Sequence, residues 1–119
     1  MIQKELVMYS RTIGCPFVSL AKRVLDEHEV TYREIFIDKD DDARERVRDW
    51  TGYLSVPTLI VAEPGQDMPA GAVADIDKSK SPRGIDRGAM ITEPNIQQLI
   101  AWLGKHTFIS PTEEEEAAS

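Results

Sequence analysis

ELVMYSRTIGCPFVSLAKRVL, residues 5 to 25, decides how the chain is read. Glu5 to Tyr9 form a short apolar run rich in strand formers, closed by the polar Ser10, Arg11 and Thr12 and then Gly14, which predicts a buried strand. After Cys15, Pro16 takes the position where a helix tolerates a missing N–H, and Phe17, Leu20, Ala21, Val24 and Leu25 follow at helical spacing. The only cysteine of the chain therefore sits at a strand-to-helix junction.

Downstream, Val30 to Ile37 (VTYREIFI) is β-branched and aromatic and predicts a second strand, closed by the acidic cluster Asp38, Asp40, Asp41 and Asp42. Those carboxylates suit the positive end of a charged helix from about Asp40 to Thr51, with Ala43, Val47 and Trp50 as its buried stripe and Gly52 as its end. Val56 to Ala62 reads as a third strand with Pro57 at its start, where no central ladder hydrogen bond is lost. Alternation of this kind predicts an α/β layer with helices covering a sheet.

Residues 63–88 scatter prolines and glycines among small and charged residues, so a long loop is expected there, either functional or mobile. A short edge strand is expected near Asp86 to Ile91. Thr92, Glu93 and Pro94 then open a final helix with proline at its first position, Ile96, Leu99, Ile100 and Leu103 on one face, and Gly104 as the stop. Residues 1–109 thus make one domain, and 110–119 an acidic tail expected to be disordered.

Composition narrows the function. The chain has 119 residues, 41% of them hydrophobic, and a net charge of −7, four units of which come from Glu113 to Glu116. An acidic body argues against a phosphate-backbone binder, and neither nucleic acid nor an anionic membrane is an expected partner. No run approaches the roughly 18 apolar residues of a membrane span, and the opening MIQKELVMYS lacks an apolar stretch behind a basic start. A cytoplasmic, unexported protein is the expectation. A lone cysteine cannot close an internal disulfide, which fits a reducing compartment.

Cys15 carries the chemistry. A thiol reacts as its thiolate, and the unpaired N–H groups and dipole at a helix N-terminus favour that anion. Arg11 upstream, and Lys22 farther along the helix, could add positive charge. The opposing reading is a small buried hydrophobe, the commoner fate of a lone cysteine. Val18 occupies the place of the second thiol in a C-x-x-C pair, so no internal attack can release a bound substrate, and any catalysis has to be monothiol.

MYSRTIGCPF (8–17), the SVPTLIV run (55–61) and the helix-strand-helix between them resemble a glutaredoxin-type protein of the thioredoxin superfamily. The likeness covers residues 5–62, and ITEPNIQQLIAWL (91–103) fits the final helix of that fold. It implies a thioredoxin-like (glutaredoxin-type) fold: a central four-stranded mixed sheet flanked by three helices, here with a long insertion before the last strand. It also implies that Cys15 is the nucleophile, that the Val56-Pro57 bond is cis, and that the Val56 backbone pairs with the cysteine backbone of bound glutathione. Arg11 stands near the position of a family lysine, Phe17 at the motif's aromatic position. Thr92 and Glu93 fall where the family has a Gly-Gly turn and a polar residue for the γ-glutamyl end.

The implied function is a monothiol thiol–disulfide oxidoreductase that reduces mixed disulfides through Cys15, with glutathione or another low-molecular-weight thiol as co-substrate. Small thiols and protein mixed disulfides are the expected partners, and a monomer is expected. Two alternatives stay open: an iron–sulfur cluster carrier using Cys15, whose family pattern Pro16 breaks, and a non-catalytic interaction module working through the 63–88 loop or the tail. No metal is expected. Asp38 to Asp42 read as helix complement and solvated face, His28 and His106 as surface residues, and Trp50 and Trp102 as core or rim.

Overall fold

The computed structural model describes residues 4–109, so the expected acidic tail lies outside the described residues. Strands β1 (Glu5–Ser10), β2 (Arg33–Phe36), β3 (Thr58–Ala62) and β4 (Met90–Thr92) form one mixed sheet in the order β2-β1-β3-β4. Helix α1 (Pro16–Glu27) makes the crossover that leaves β2 parallel to β1, with Val7 opposite Arg33. Helix α2 (Asp41–Thr51) leads to β3, which runs antiparallel to β1, and β4 pairs antiparallel to β3 with Thr58 opposite Thr92. Helix α3 (Ile96–Lys105) packs against α1. This is the expected thioredoxin-like fold, a four-stranded mixed sheet with three helices.

The central strands carry near-continuous apolar runs because both of their faces are covered. Leu6, Met8, Leu59 and Ile60 are fully buried. Alternate residues of β1 serve opposite faces: Tyr9 meets Trp50 of α2 edge-on at 5.2 Å between ring centroids. Trp50, expected in the buried stripe of α2, is half-buried and packs against the core.

Several local expectations shift. The stripe of α1 is Val18, Ala21, Val24 and Leu25, while Phe17 and Leu20 are half-buried. β2 is shorter than Val30 to Ile37, because Glu29 turns left-handed (φ 54°) and the Val30 N–H closes α1 on the Leu25 carbonyl at 2.8 Å. As an edge strand it wears ion pairs, Lys22–Glu34 at 2.9 Å and Arg33–Glu5 at 3.1 Å.

The last helix starts later than Thr92. Thr92 belongs to β4, Glu93 is left-handed (φ 45°), and Asn95 caps α3 in a reciprocal box with Gln98. Pro94 therefore precedes the cap, Ile96 is exposed, Trp102 joins Leu99 and Leu103 on the buried face, and Gly104 lies within the helix. α2 is as expected, with Asp40 accepting from Ala43 N at 3.1 Å and Gly52 left-handed at φ 82°.

Residues 63–88 hold no regular element, yet they are fastened to the sheet. The Ala70 N–H donates to the Val61 carbonyl (2.8 Å), Ala74 to Arg87 (2.8 Å), and Ala89 to Ala72 (3.0 Å). Arg87, 6% exposed, donates to the Ala74 carbonyl at 2.7 Å and to the Trp50 carbonyl at the end of α2. The short edge strand expected near Asp86 to Ile91 is realised as β4, a few residues later.

Candidate functional site

Cys15 is the N-cap of α1, with extended backbone (φ −140°) and Pro16 in the first turn. Its carbonyl accepts the first helical hydrogen bond, from Ser19 N at 3.0 Å. The side chain makes no cap bond to the helix amides. Instead the thiol donates to the Val56 carbonyl, Sγ to O 3.8 Å, and is 9% exposed. The Val56-Pro57 peptide is cis, as the family resemblance implies. Two stretches forty residues apart in sequence thus meet at the sulfur, because β1 and β3 are neighbours in the sheet and their ends face each other.

From Pro57 the site runs on to Glu93, whose N–H donates to the Pro57 carbonyl at 2.8 Å. Burial pushes the Glu93 carboxyl above its ordinary range, and the positive charges of Arg83 and Arg11 pull it back in part. Arg83 Nη2 stands 3.9 Å from Glu93 Oε1, and its guanidinium lies 4.7 Å from the centroid of the Phe17 ring. Cys15, Val56, Pro57 and Glu93, each singled out from sequence, are therefore linked by contacts that run from one to the next, and Phe17 is joined to them through Arg83. Arg83 joins them from the long loop.

Others fall elsewhere. Arg11 is exposed and acts on Glu93 through its charge. Thr92 is fully buried, with its hydroxyl 3.1 Å from that of Thr58, so its side chain serves the sheet. Lys22 pairs with Glu34 on the edge strand. Val18 is buried in the core, so the position of the absent second thiol has become packing.

Two residues were missed. Asp38, read as part of the acidic lead into α2, accepts from the backbone N–H of Thr12 at 3.1 Å and from its hydroxyl, and so ties down the loop that precedes Cys15. The Thr12 hydroxyl bond, opposed by a little desolvation and helped by the backbone bond, holds the Asp38 carboxyl low. A carboxylate just after a strand that runs parallel to β1 is the signal that could have found it. Arg83 carried no local signal at all. Among the described residues no group of three or more His, Cys, Asp or Glu side chains is placed to hold a metal ion.

Comparison with known proteins gives the same segment. Residues 6–63 match the family model described as glutaredoxin. Over 59 residues the chain is 34% identical to "Glutaredoxin-C4, chloroplastic" of Oryza sativa subsp. japonica, a match covering 47% of this chain and 44% of that relative. The chain thus spans less than half the length of the curated relative it matches. Among solved structures, the solution structure of glutaredoxin from Brucella melitensis shares 15% identity, with 86% of this chain and 79% of that one covered at a TM-score of 0.43.

Proposed function

Because residues 6–63 match the glutaredoxin family model, we propose that this chain is a glutaredoxin-like monothiol thiol–disulfide oxidoreductase acting through Cys15. The observation that carries this reading is the meeting of Cys15 Sγ with the carbonyl of Val56, just before the cis proline, at the first turn of α1. A substrate laid along the Val56 backbone would present its sulfur to Cys15, and the Val56 carbonyl would be released from the thiol as the proton leaves.

In the first step the Cys15 thiolate, its proton given to solvent, attacks one sulfur of R–S–S–R′. The Cys15–S–S–R bond forms, the old S–S bond breaks, and R′S⁻ leaves and takes a proton from water. In the second step an external thiolate attacks R's sulfur in that adduct, regenerating the Cys15 thiolate and carrying R away as a small disulfide. Val18 offers no internal route, so the second thiol has to come from outside. Glutathione, or another low-molecular-weight thiol, is the co-substrate, and protein mixed disulfides in a reducing compartment are the substrates. Phe17, Val56, Pro57, Glu93 and Arg11 line or flank the groove in which the exchange takes place.

Intact-mass measurement after incubation with oxidised glutathione tests this. The expected result is one glutathione adduct on Cys15, removed by added small thiol and absent from Cys15→Ser. A native protein that stays unmodified while its urea-unfolded form is readily labelled would overturn the reading. That outcome favours the second one, a non-catalytic module, for which the burial of Cys15 at 9% exposure is the supporting observation. Cys15→Ser would then keep its partner binding.

A further inference from the structure

The 63–88 segment brings the Arg83 side chain against Glu93 and Phe17, and its backbone there is anchored. The Gly84 N–H donates to the Thr92 carbonyl at 2.7 Å, so the backbone directly after Arg83 is stitched to the end of β4, one residue before Glu93. Gly84 is left-handed (φ 75°), and a Cβ there would lie 2.7 Å from the Gln98 side chain that closes the α3 capping box. Pro82 is buried. Arg83 therefore leaves from a fixed point, while its side chain stays 59% exposed.

We propose that Arg83 is a specificity-determining residue for exchange at Cys15, selecting disulfides that carry a carboxylate a few bonds from the sulfur. The inference rests on the oxidoreductase reading above and names its substrate class. Phe17, on which the guanidinium lies, is two residues from Cys15 in the first turn of α1. A guanidinium laid against an aromatic face keeps its in-plane N–H groups, and five donors in a fork suit a carboxylate. Glu93 at 3.9 Å, at the limit of an ion pair, leaves those donors largely free.

Charge balance points the same way. Arg83 and Arg11 both act on Glu93, so two cations share that carboxylate. Lys22 is neutralised by Glu34, while Asp38, bonded to the neutral Thr12, keeps its charge on the loop before Cys15. A carboxylate-bearing disulfide attacked by Cys15 would find a cation lying on Phe17, two residues along α1. A neutral disulfide would gain nothing from it.

The test uses the full chain, with 3,3′-dithiodipropionate as the acidic disulfide and bis(2-hydroxyethyl) disulfide as the neutral one. Rates of adduct formation on Cys15 are read by intact mass for the wild type, Arg83→Gln, Arg83→Lys and Arg83→Glu. The acidic-to-neutral rate ratio is expected to fall by about tenfold in Arg83→Gln, the scale of one charge-assisted hydrogen bond in a half-exposed place. It should fall further in Arg83→Glu, stay closer to wild type in Arg83→Lys, and shrink for the wild type as salt is raised. Adducts that form with an unchanged ratio across the variants, even if both rates move together, overturn the selection by Arg83 and leave the oxidoreductase reading intact. Absence of adducts with either disulfide in every form overturns both.

Discussion

The β1–β3 pair and the 63–88 strap are held in place by different physics. The strands are secured by apolar burial on both faces and a regular ladder. The strap has little apolar surface to bury and is pinned at single points: a guanidinium on two carbonyls, a few backbone hydrogen bonds, and close approaches at glycine. Damage to the first should be felt by the whole molecule. Damage to the second should stay local, which is the condition under which a strap can vary its groove-facing residue without loss of the fold.

The largest effect is expected on the strand side. Leu59 is fully buried in β3. Leu59→Ala should cost about 2–5 kcal/mol of global stability, through lost transfer energy and the cavity left behind. Urea denaturation followed by circular dichroism checks it, and the midpoint should drop with every probe. On the strap side, Arg87→Met removes the donors to the Ala74 and Trp50 carbonyls and should cost about 1–3 kcal/mol. Its signature is faster hydrogen exchange at Ala74 and Ala89, with Val7 and Ile60 still protected. Equal loss in both regions would erase the distinction drawn between them.

The seam between the two regions can be tested at Gly52. It is left-handed at φ 82°, and an added Cβ would lie 2.5 Å from the carbonyl oxygen of Lys78. Gly52→Ala should cost about 1–2 kcal/mol from backbone conformation alone. It should also lift the strap off the end of α2, loosening the contact of the Tyr53 hydroxyl with the Ser79 carbonyl, 3.2 Å away. Tyr53 fluorescence anisotropy is complicated by the two tryptophans, so exchange at residues 77–80 is the better readout.

How much was legible follows the same division. Strand, helix, strand, helix, strand from Glu5 to Ala62 could be read because each element announces itself within ten residues: an apolar run, proline after Cys15, Asp40 and Gly52 at the ends of α2. The start of α3 was misplaced because two local signals competed. Pro94 suggested a first-turn proline, whereas the Asn95–Gln98 box, one residue on, satisfies two end groups at once. Cys15 and Val56 could be paired through family resemblance. Arg83 could not, because its partners Phe17 and Glu93 lie on other elements and the strap has no periodicity to say which way it folds. Asp38 was seen, but for the helix it precedes; its bond to Thr12 is a consequence of β2 lying beside β1.

The smallest expected effect separates the groove carboxylate from those that only fasten. Burial raises Glu93 above its ordinary value despite Arg83 and Arg11. The folded chain therefore holds a proton there that the unfolded chain has lost, in the window from the unfolded carboxyl value of about 4.3 up to the raised one. Stability from this group is complete below that window and falls as pH rises through it. Asp38 and Asp86 are held low, Asp86 by Lys105 and the Gly88 N–H against the opposing effect of burial, and they lose stability in the other direction, as pH falls. Those contributions are common to wild type and Glu93→Gln and cancel in the difference. Urea midpoints between pH 4 and pH 7 should therefore show the wild type losing ground to Glu93→Gln as pH rises. Arg83→Gln, which removes one of the two opposing cations, should steepen that loss. Parallel profiles for all three proteins would mean that Glu93 is solvated like a surface carboxylate, and that the groove beside Cys15 is more open than the contacts of Arg83 and Pro57 with Glu93 imply.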